Sequence, residues 1–99
     1  MPKLISLTRA TDGKHKYQAL FEQDNGRKKT VKFGAAGMTD YTLSSPAERE
    51  ARKTRYLARH AARESWNSPM TSGALSRWIL WNLTTVQSSL ADYRRRFAL

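Results

Sequence analysis

Apolar and polar side chains alternate along the first third of the chain. Around 14–22, Tyr17, Ala19 and Phe21 fall on one side and Lys16 and Gln18 on the other. Around 27–34, Val31 and Phe33 oppose Lys28, Thr30 and Lys32. Such period-two patterning marks strands with one apolar face and one lysine-rich face. The segment around 3–9 alternates poorly, and Leu20 interrupts the polar face of the second segment. Asp12-Gly13 and Asn25-Gly26 separate the three segments, and both dipeptides favour two-residue hairpin turns. The pattern predicts a three-stranded antiparallel β-meander.

The period then changes. Gly34-Ala35-Ala36-Gly37 ends the strand region in a tight bend, and Met38 to Ser44 reads as a loop with a short extended piece at Tyr41-Thr42-Leu43. Ser45-Pro46-Ala47-Glu48 carries a capping box with proline at the first helical position, which predicts a helix running to about Ser65. At about 100° per residue, Ala47, Ala51, Thr54, Ala58 and Ala61 share one arc of this helix. Arg49, Arg52, Arg59 and Arg63 share the opposite arc, with Tyr56 and His60 among them. The thin alanine arc is expected to lie against the sheet, leaving the arginines and Tyr56 outside.

Trp66-Asn67-Ser68-Pro69 breaks that helix. Thr71 or Ser72 then caps a short second helix, Gly73 to about Trp81, whose apolar residues cover most of its circumference and predict burial of Trp78, Ile79 and Trp81. Thr84-Thr85-Val86-Gln87 is a further capping box, and Val86, Leu90, Tyr93 and Phe97 form the apolar stripe of a third helix. The fold class expected is α+β, a three-stranded antiparallel β-meander followed by three α-helices packed on one face. A chain of 99 residues makes a single domain, with meander and loop in 1–44 and the helical part in 45–99.

Composition narrows the class. The chain is 39% hydrophobic and 26% charged, too apolar for a disordered segment and too polar for a membrane protein. Its longest apolar run is Trp78-Ile79-Leu80-Trp81, whereas a spanning helix needs about 20 residues. No apolar core follows Lys3, so no secretory signal is expected. There is no cysteine, which excludes disulfides, thiolate zinc sites, iron–sulfur clusters and cysteine nucleophiles, and favours a reducing, intracellular site.

Charge is the dominant feature. Eighteen Lys and Arg against eight Asp and Glu give a net charge of +10. Such an excess repels itself unless a polyanion neutralises it, and phosphate is the usual partner. Arg94-Arg95-Arg96 adds three cations to the last turn of the third helix, more than its dipole requires.

Candidate catalytic chemistry is sparse. His60 and Glu64 stand four apart on one helix face, but no third ligand is placed by spacing, so no metal is expected. His15 falls at the sheet edge. Glu48 is committed to capping, Glu50 and Glu64 to nearby arginines, and Asp12 and Asp24 to turns, leaving Asp40 the least explained carboxylate. Neither a nucleophile elbow nor a phosphate loop is present. No catalytic residue and no cofactor is expected.

Two resemblances bear on function. Tyr56-x-x-Arg59-His60-x-x-x-Glu64-x-Trp66-x-x-Pro69-x-Thr71-x-Gly73-Ala74-Leu75-Ser76-Arg77-Trp78-Ile79-Leu80-Trp81 resembles a small uncharacterised family encoded by large nucleocytoplasmic DNA viruses of algae and amoebae. The likeness extends upstream through Phe33-Gly34-Ala35-Ala36-Gly37 and Asp40-Tyr41-Thr42, and downstream to Asp92-Tyr93 and Arg96-Phe97. It implies a viral origin and no particular chemistry. A basic meander ending in aromatic-Gly-x-x-Gly is also similar to the DNA-binding WGR module, although Phe33 stands where that module has Trp and Ala35 where it has Arg.

The expected function is therefore non-enzymatic binding of nucleic acid, DNA or RNA, through a Lys/Arg surface. Arg49, Arg52, Arg59 and Arg63 around Tyr56 form the favoured patch, because guanidinium grips phosphate in a bidentate fork. Lys16, Lys28 and Lys32 on the sheet and Arg94 and Arg95 on the third helix complete the candidate set. The alternative is a minor structural protein of a virion, its basic surface set against acidic capsid protein. Either reading places the protein in the virion or the host cytoplasm, with no membrane span.

Overall fold

The computed structural model describes residues 2–99. Three strands, β1 (Lys3–Arg9), β2 (His15–Glu22) and β3 (Lys28–Ala35), form one antiparallel sheet in the order β1-β2-β3. These bounds agree with the alternation in the sequence. Tyr17 pairs with Phe33, Ala19 with Val31 and Phe21 with Lys29, so the apolar positions of β2 share one face.

The poor alternation of β1 has a structural cause. A bulge between Leu4 and Ser6 sets Leu4 opposite Phe21 and Leu7 opposite Ala19. The extra residue, Ile5, is 43% exposed, while Leu4 is buried and Leu7 packs against the core. One inserted residue thus returns two leucines three apart to the same face.

Neither hairpin uses a two-residue turn. In the second, Gly26 N–H donates to the Gln23 carbonyl and Gln23 N–H to the Arg27 carbonyl, with Gly26 at φ +81°. This is a three-residue loop whose last residue is left-handed, which is why glycine stands there. The first connection is wider, closed by Ala10 N–H on the Lys16 carbonyl. Asp12 Oδ1 accepts from the Lys14 and His15 amides, so the aspartate supplies the turn chemistry.

Helix α1 (Arg49–His60) is shorter than expected, and its N-cap position is Glu48 without a side-chain cap. Instead of closing a capping box, Glu48 Oε2 accepts from Arg52 at 2.7 Å. The larger correction concerns its faces. Ala47, Ala51, Thr54, Ala58 and Ala61 are all exposed, whereas Tyr56 is buried at 6% exposure and Leu57 packs against the core. The arc arithmetic holds but inside and outside are exchanged. A buried tyrosine removes far more apolar area from water than several methyl groups, and arginine and lysine stems pack beside it while their heads reach out.

Residues 72–80 form the second helical element. A single α-turn, α2 (Ser72–Leu75), is capped by Thr71, whose side chain accepts from the Ala74 amide. It continues as a wide π-turn over Ser76–Leu80, in which Trp81 N–H reaches back to the Ser76 carbonyl. Three successive carbonyls at the end of this turn are taken up by donors. Tyr41 N–H donates to Leu80, Arg77 to Trp81 and Lys53 to Asn82. Helix α3 (Val86–Phe97) is capped by Thr85, one residue beyond the expected cap, and its stripe of Val86, Leu90, Tyr93 and Phe97 faces the core.

A single apolar cluster joins Leu4, Ala19, Phe21 and Phe33 of the sheet to Leu75, Ile79, Leu80 and Tyr93 of the helices. The α2–π segment lies closest to β3. Gly34, at φ +77°, permits that approach, because a Cβ there would sit 2.7 Å from Leu80 Cδ1. Among the described residues no helix is long and apolar enough to cross a membrane.

Candidate nucleic-acid interface

The loop between β3 and α1 is fixed by one carboxylate. Asp40 is 2% exposed, and its Oδ2 accepts from Lys16 Nζ at 2.6 Å. Its Oδ1 accepts from the Thr42 amide and hydroxyl, and its carbonyl from Ser44 Oγ. Tyr41–Leu43 therefore forms a turn around Asp40, closed by Leu43 N–H on the Asp40 carbonyl, and not the expected extended piece. Tyr41 is held in turn. Its hydroxyl donates to Glu50, and its ring lies under Arg49 and Lys53. The bond to Glu50 raises the Tyr41 hydroxyl above its ordinary pKa.

The facing wall is built on rings. Tyr56 stacks on Trp81 with centroids 4.6 Å apart and on His60 at 4.3 Å. Burial, with the Glu64 charge adding to it, pushes the Tyr56 hydroxyl upward. His60 Nδ1 lies 2.9 Å from Glu64 Oε2, and Trp66 Nε1 donates to Glu64 Oε1. The expected pairing of Glu50 and Glu64 with arginines is replaced by these contacts with Tyr41, His60 and Trp66.

Between the two walls runs a cleft of about 320 Å³, lined by Gly37, Met38, Thr39, Trp81 and three arginines, Arg52, Arg55 and Arg59. Positions 52, 55 and 59 stand at i, i+3 and i+7, along one side of α1. Arg52 is partly neutralised by Glu48. Arg55 and Arg59 are exposed and join no ion pair among the described residues. The arrangement presents guanidinium groups beside Trp81, suited to a phosphate.

The other candidates lie elsewhere or are engaged within the fold. Arg63 is exposed just beyond the end of α1. Arg49 packs over Tyr41 with its Nε buried and unpartnered, and Tyr56 lies beneath the surface, stacked on Trp81. Lys16 leaves the solvent face to meet buried Asp40, because an unpaired carboxylate there would be costly. Lys28 pairs with Glu22 at 3.2 Å and Lys32 approaches Asp12 at 3.6 Å, both at exposed sites. Arg94 donates to the Leu4 and Leu99 carbonyls, and Arg95 to Asp92. The structure thus brings Arg52 and Arg59 together, buries the Tyr56 ring beside them and disperses the rest.

Sequence reasoning missed Arg55, Trp81 and Asp40 as parts of one site. Arg55 was visible in the helical spacing of the arginines. Trp81 belongs to the core at 9% exposure, as its apolar neighbours predict, yet it also lines the cleft. Lys53 and Arg77 are structural cations, their pKa values lowered chiefly by burial. The described residues contain no cluster of three or more metal-ligating side chains.

Residues 5–60 match the family model described as "Family of unknown function (DUF5754)". No curated protein and no solved structure matches the chain. The match spans all of β2, β3 and α1, most of β1 and every residue lining the cleft apart from Trp81. It takes in more than half of the sequence, and the chain belongs to this family of unknown function, DUF5754.

Proposed function

We propose that the protein is a non-enzymatic module that binds nucleic acid through phosphate contacts from Arg52, Arg55 and Arg59. One observation carries this reading. In a chain of net charge +10, Arg55 and Arg59 stand at a cleft beside Arg52 with no ion-pair partner among the described residues, and Arg52 has only the exposed Glu48, while Arg94, Arg95, Lys16 and Lys28 are engaged elsewhere in the fold. Guanidinium groups held on one helix at fixed spacing give phosphate binding a defined geometry. The surrounding charge supplies long-range attraction. Phosphate contacts of this kind confer affinity with little sequence selectivity.

Fluorescence anisotropy with labelled oligonucleotides tests the reading. Affinity should fall log-linearly with salt, with a slope of about −0.9 per phosphate contacted on duplex or about −0.7 on single strands. Arg55→Glu with Arg59→Glu should abolish binding. Lys28→Glu with Lys29→Glu, at exposed positions of the distal hairpin, changes net charge equally and should weaken binding modestly. Circular dichroism first establishes that both variants fold. A flat salt response, or equal losses in the two variants, overturns the reading. Affinity for an acidic protein surface with none for nucleic acid replaces it with a structural role.

A further inference from the structure

The arginine cleft does not end at Trp81. A second recess of about 300 Å³ shares Met38, Thr39, Arg59 and Trp81 with it and continues past Asp40 and Glu64 to Gly34. A third, of about 280 Å³, shares Gly34, Ala35, Glu64 and Ser76 with the second and opens between Lys14, His15 and Lys32. The three make one groove. It is cationic at the α1 end, carries Glu64 and the neutralised Lys16–Asp40 pair in the middle, and is cationic again at the β2–β3 end.

That charge order discriminates between ligands. A duplex presents an unbroken ridge of phosphates, and laying it along the groove would set phosphates against Glu64. Reading a duplex also requires an element that protrudes into a groove about 12 Å wide. Here the cations border recesses. A single strand behaves differently, because its backbone and its base edges point apart. Phosphates can meet Arg55 and Arg59 at one end and Lys14 and Lys32 at the other. Between them, unpaired bases can turn toward Glu64. Glu64 accepts from His60 and Trp66, lies beside the Tyr56 hydroxyl, and keeps its side chain 23% exposed to a further donor. Amino groups on base edges are the donors such a site takes.

We infer that the groove binds single-stranded nucleic acid threaded from Arg55 and Arg59 past Glu64 to Lys14 and Lys32, with phosphates at its ends and bases at its middle. This rests on the nucleic-acid reading above and narrows it to strands whose bases are unpaired. Lys14 is exposed and free of ion pairs among the described residues, and Lys32 meets only Asp12, at 3.6 Å.

The test compares a labelled single strand of about ten nucleotides, as DNA and as RNA, with the duplex of the same sequence. The single strand should bind at least about tenfold more tightly, a difference of about 1.4 kcal/mol. Lys14→Glu with Lys32→Glu should cost single-strand affinity more than the charge-matched Lys28→Glu with Lys29→Glu. Preference for the duplex overturns the inference and leaves the broader reading standing. Loss of affinity no greater than in the control pair overturns the threading path. Absence of binding to either form removes both. A preference for DNA or for RNA among single strands identifies which of the two the groove takes.

Discussion

Tyr56 lies flat against Trp81, with ring centroids 4.6 Å apart and planes 9° from parallel. The contact joins α1 to the end of the π-turn and orients the helix, sending its tyrosine inward and its alanines to solvent. Tyr56→Ala should therefore cost about 3–5 kcal/mol, the range for losing a large buried ring. Chemical denaturation measures it, and tryptophan emission should shift as Trp81 gains solvent. An unchanged midpoint and spectrum would refute the stacking.

The exposed alanine arc yields the converse expectation. Ala58→Lys should leave stability within about 0.5 kcal/mol of wild type, as ordinary surface substitutions do. A loss of several kcal/mol in a thermal or denaturant melt would mean that the arc is buried.

Lys16 and Asp40 form a pair whose side chains are 12% and 3% exposed. Asp40→Asn leaves the ammonium without its counter-charge and should destabilise by about 3–5 kcal/mol. Adding Lys16→Met should recover part of that loss, since removing both charges is less costly than stranding one. A double variant worse than the sum of the singles would contradict this.

Gly34→Ala brings a Cβ to 2.7 Å from Leu80 Cδ1 at a backbone φ of +77°. Crowding and left-handed strain should each cost about 1–3 kcal/mol. In a Leu80→Val background the crowding is relieved and the penalty should shrink, leaving the backbone contribution. An equal penalty in both backgrounds would show that Leu80 is not the obstacle.

Acid should unfold the protein through its aspartates. Asp92 is held below its ordinary pKa chiefly by the hydrogen bond from Asn82, and Asp12 by those from His15 and the Lys14 and His15 amides. A carboxylate depressed in the folded state stabilises it above the unfolded value, 3.8, and loses that contribution as pH falls toward the folded value. Stability should therefore decline below about pH 3.8, and Asp92→Asn should flatten the decline. A melt series between neutral pH and pH 2 reads the slope. An identical slope in Asp92→Asn would remove Asp92 from the account.

The strands were legible because alternation reports a local property, the side on which each residue falls. Even β1 becomes readable once Leu4 and Leu7 are seen to need one extra residue between them. The orientation of α1 was not legible. Two opposite arcs follow from spacing alone, but which one is buried depends on what the helix meets, and Tyr56 meets Trp81 from another part of the chain. The site failed for a related reason. Lys16, Lys28 and Arg94 are equivalent to Arg55 and Arg59 as letters, and only the fold reveals which cations already have a carboxylate or carbonyl partner. The π-turn left no signature in the residues that form it.

Helix α1 is tied to the rest of the molecule by side chains, through Tyr41, Lys53, Tyr56 and Leu57, and packs closely against no strand. Its amide protons are therefore expected to exchange before those of the meander, through a partial unlatching that hydrogen-exchange measurements would read. That unlatching carries Arg52, Arg55 and Arg59 away from Trp81. If the groove takes a strand as proposed above, the frequency of that unlatching would set how readily the strand enters along its length and how long it is retained.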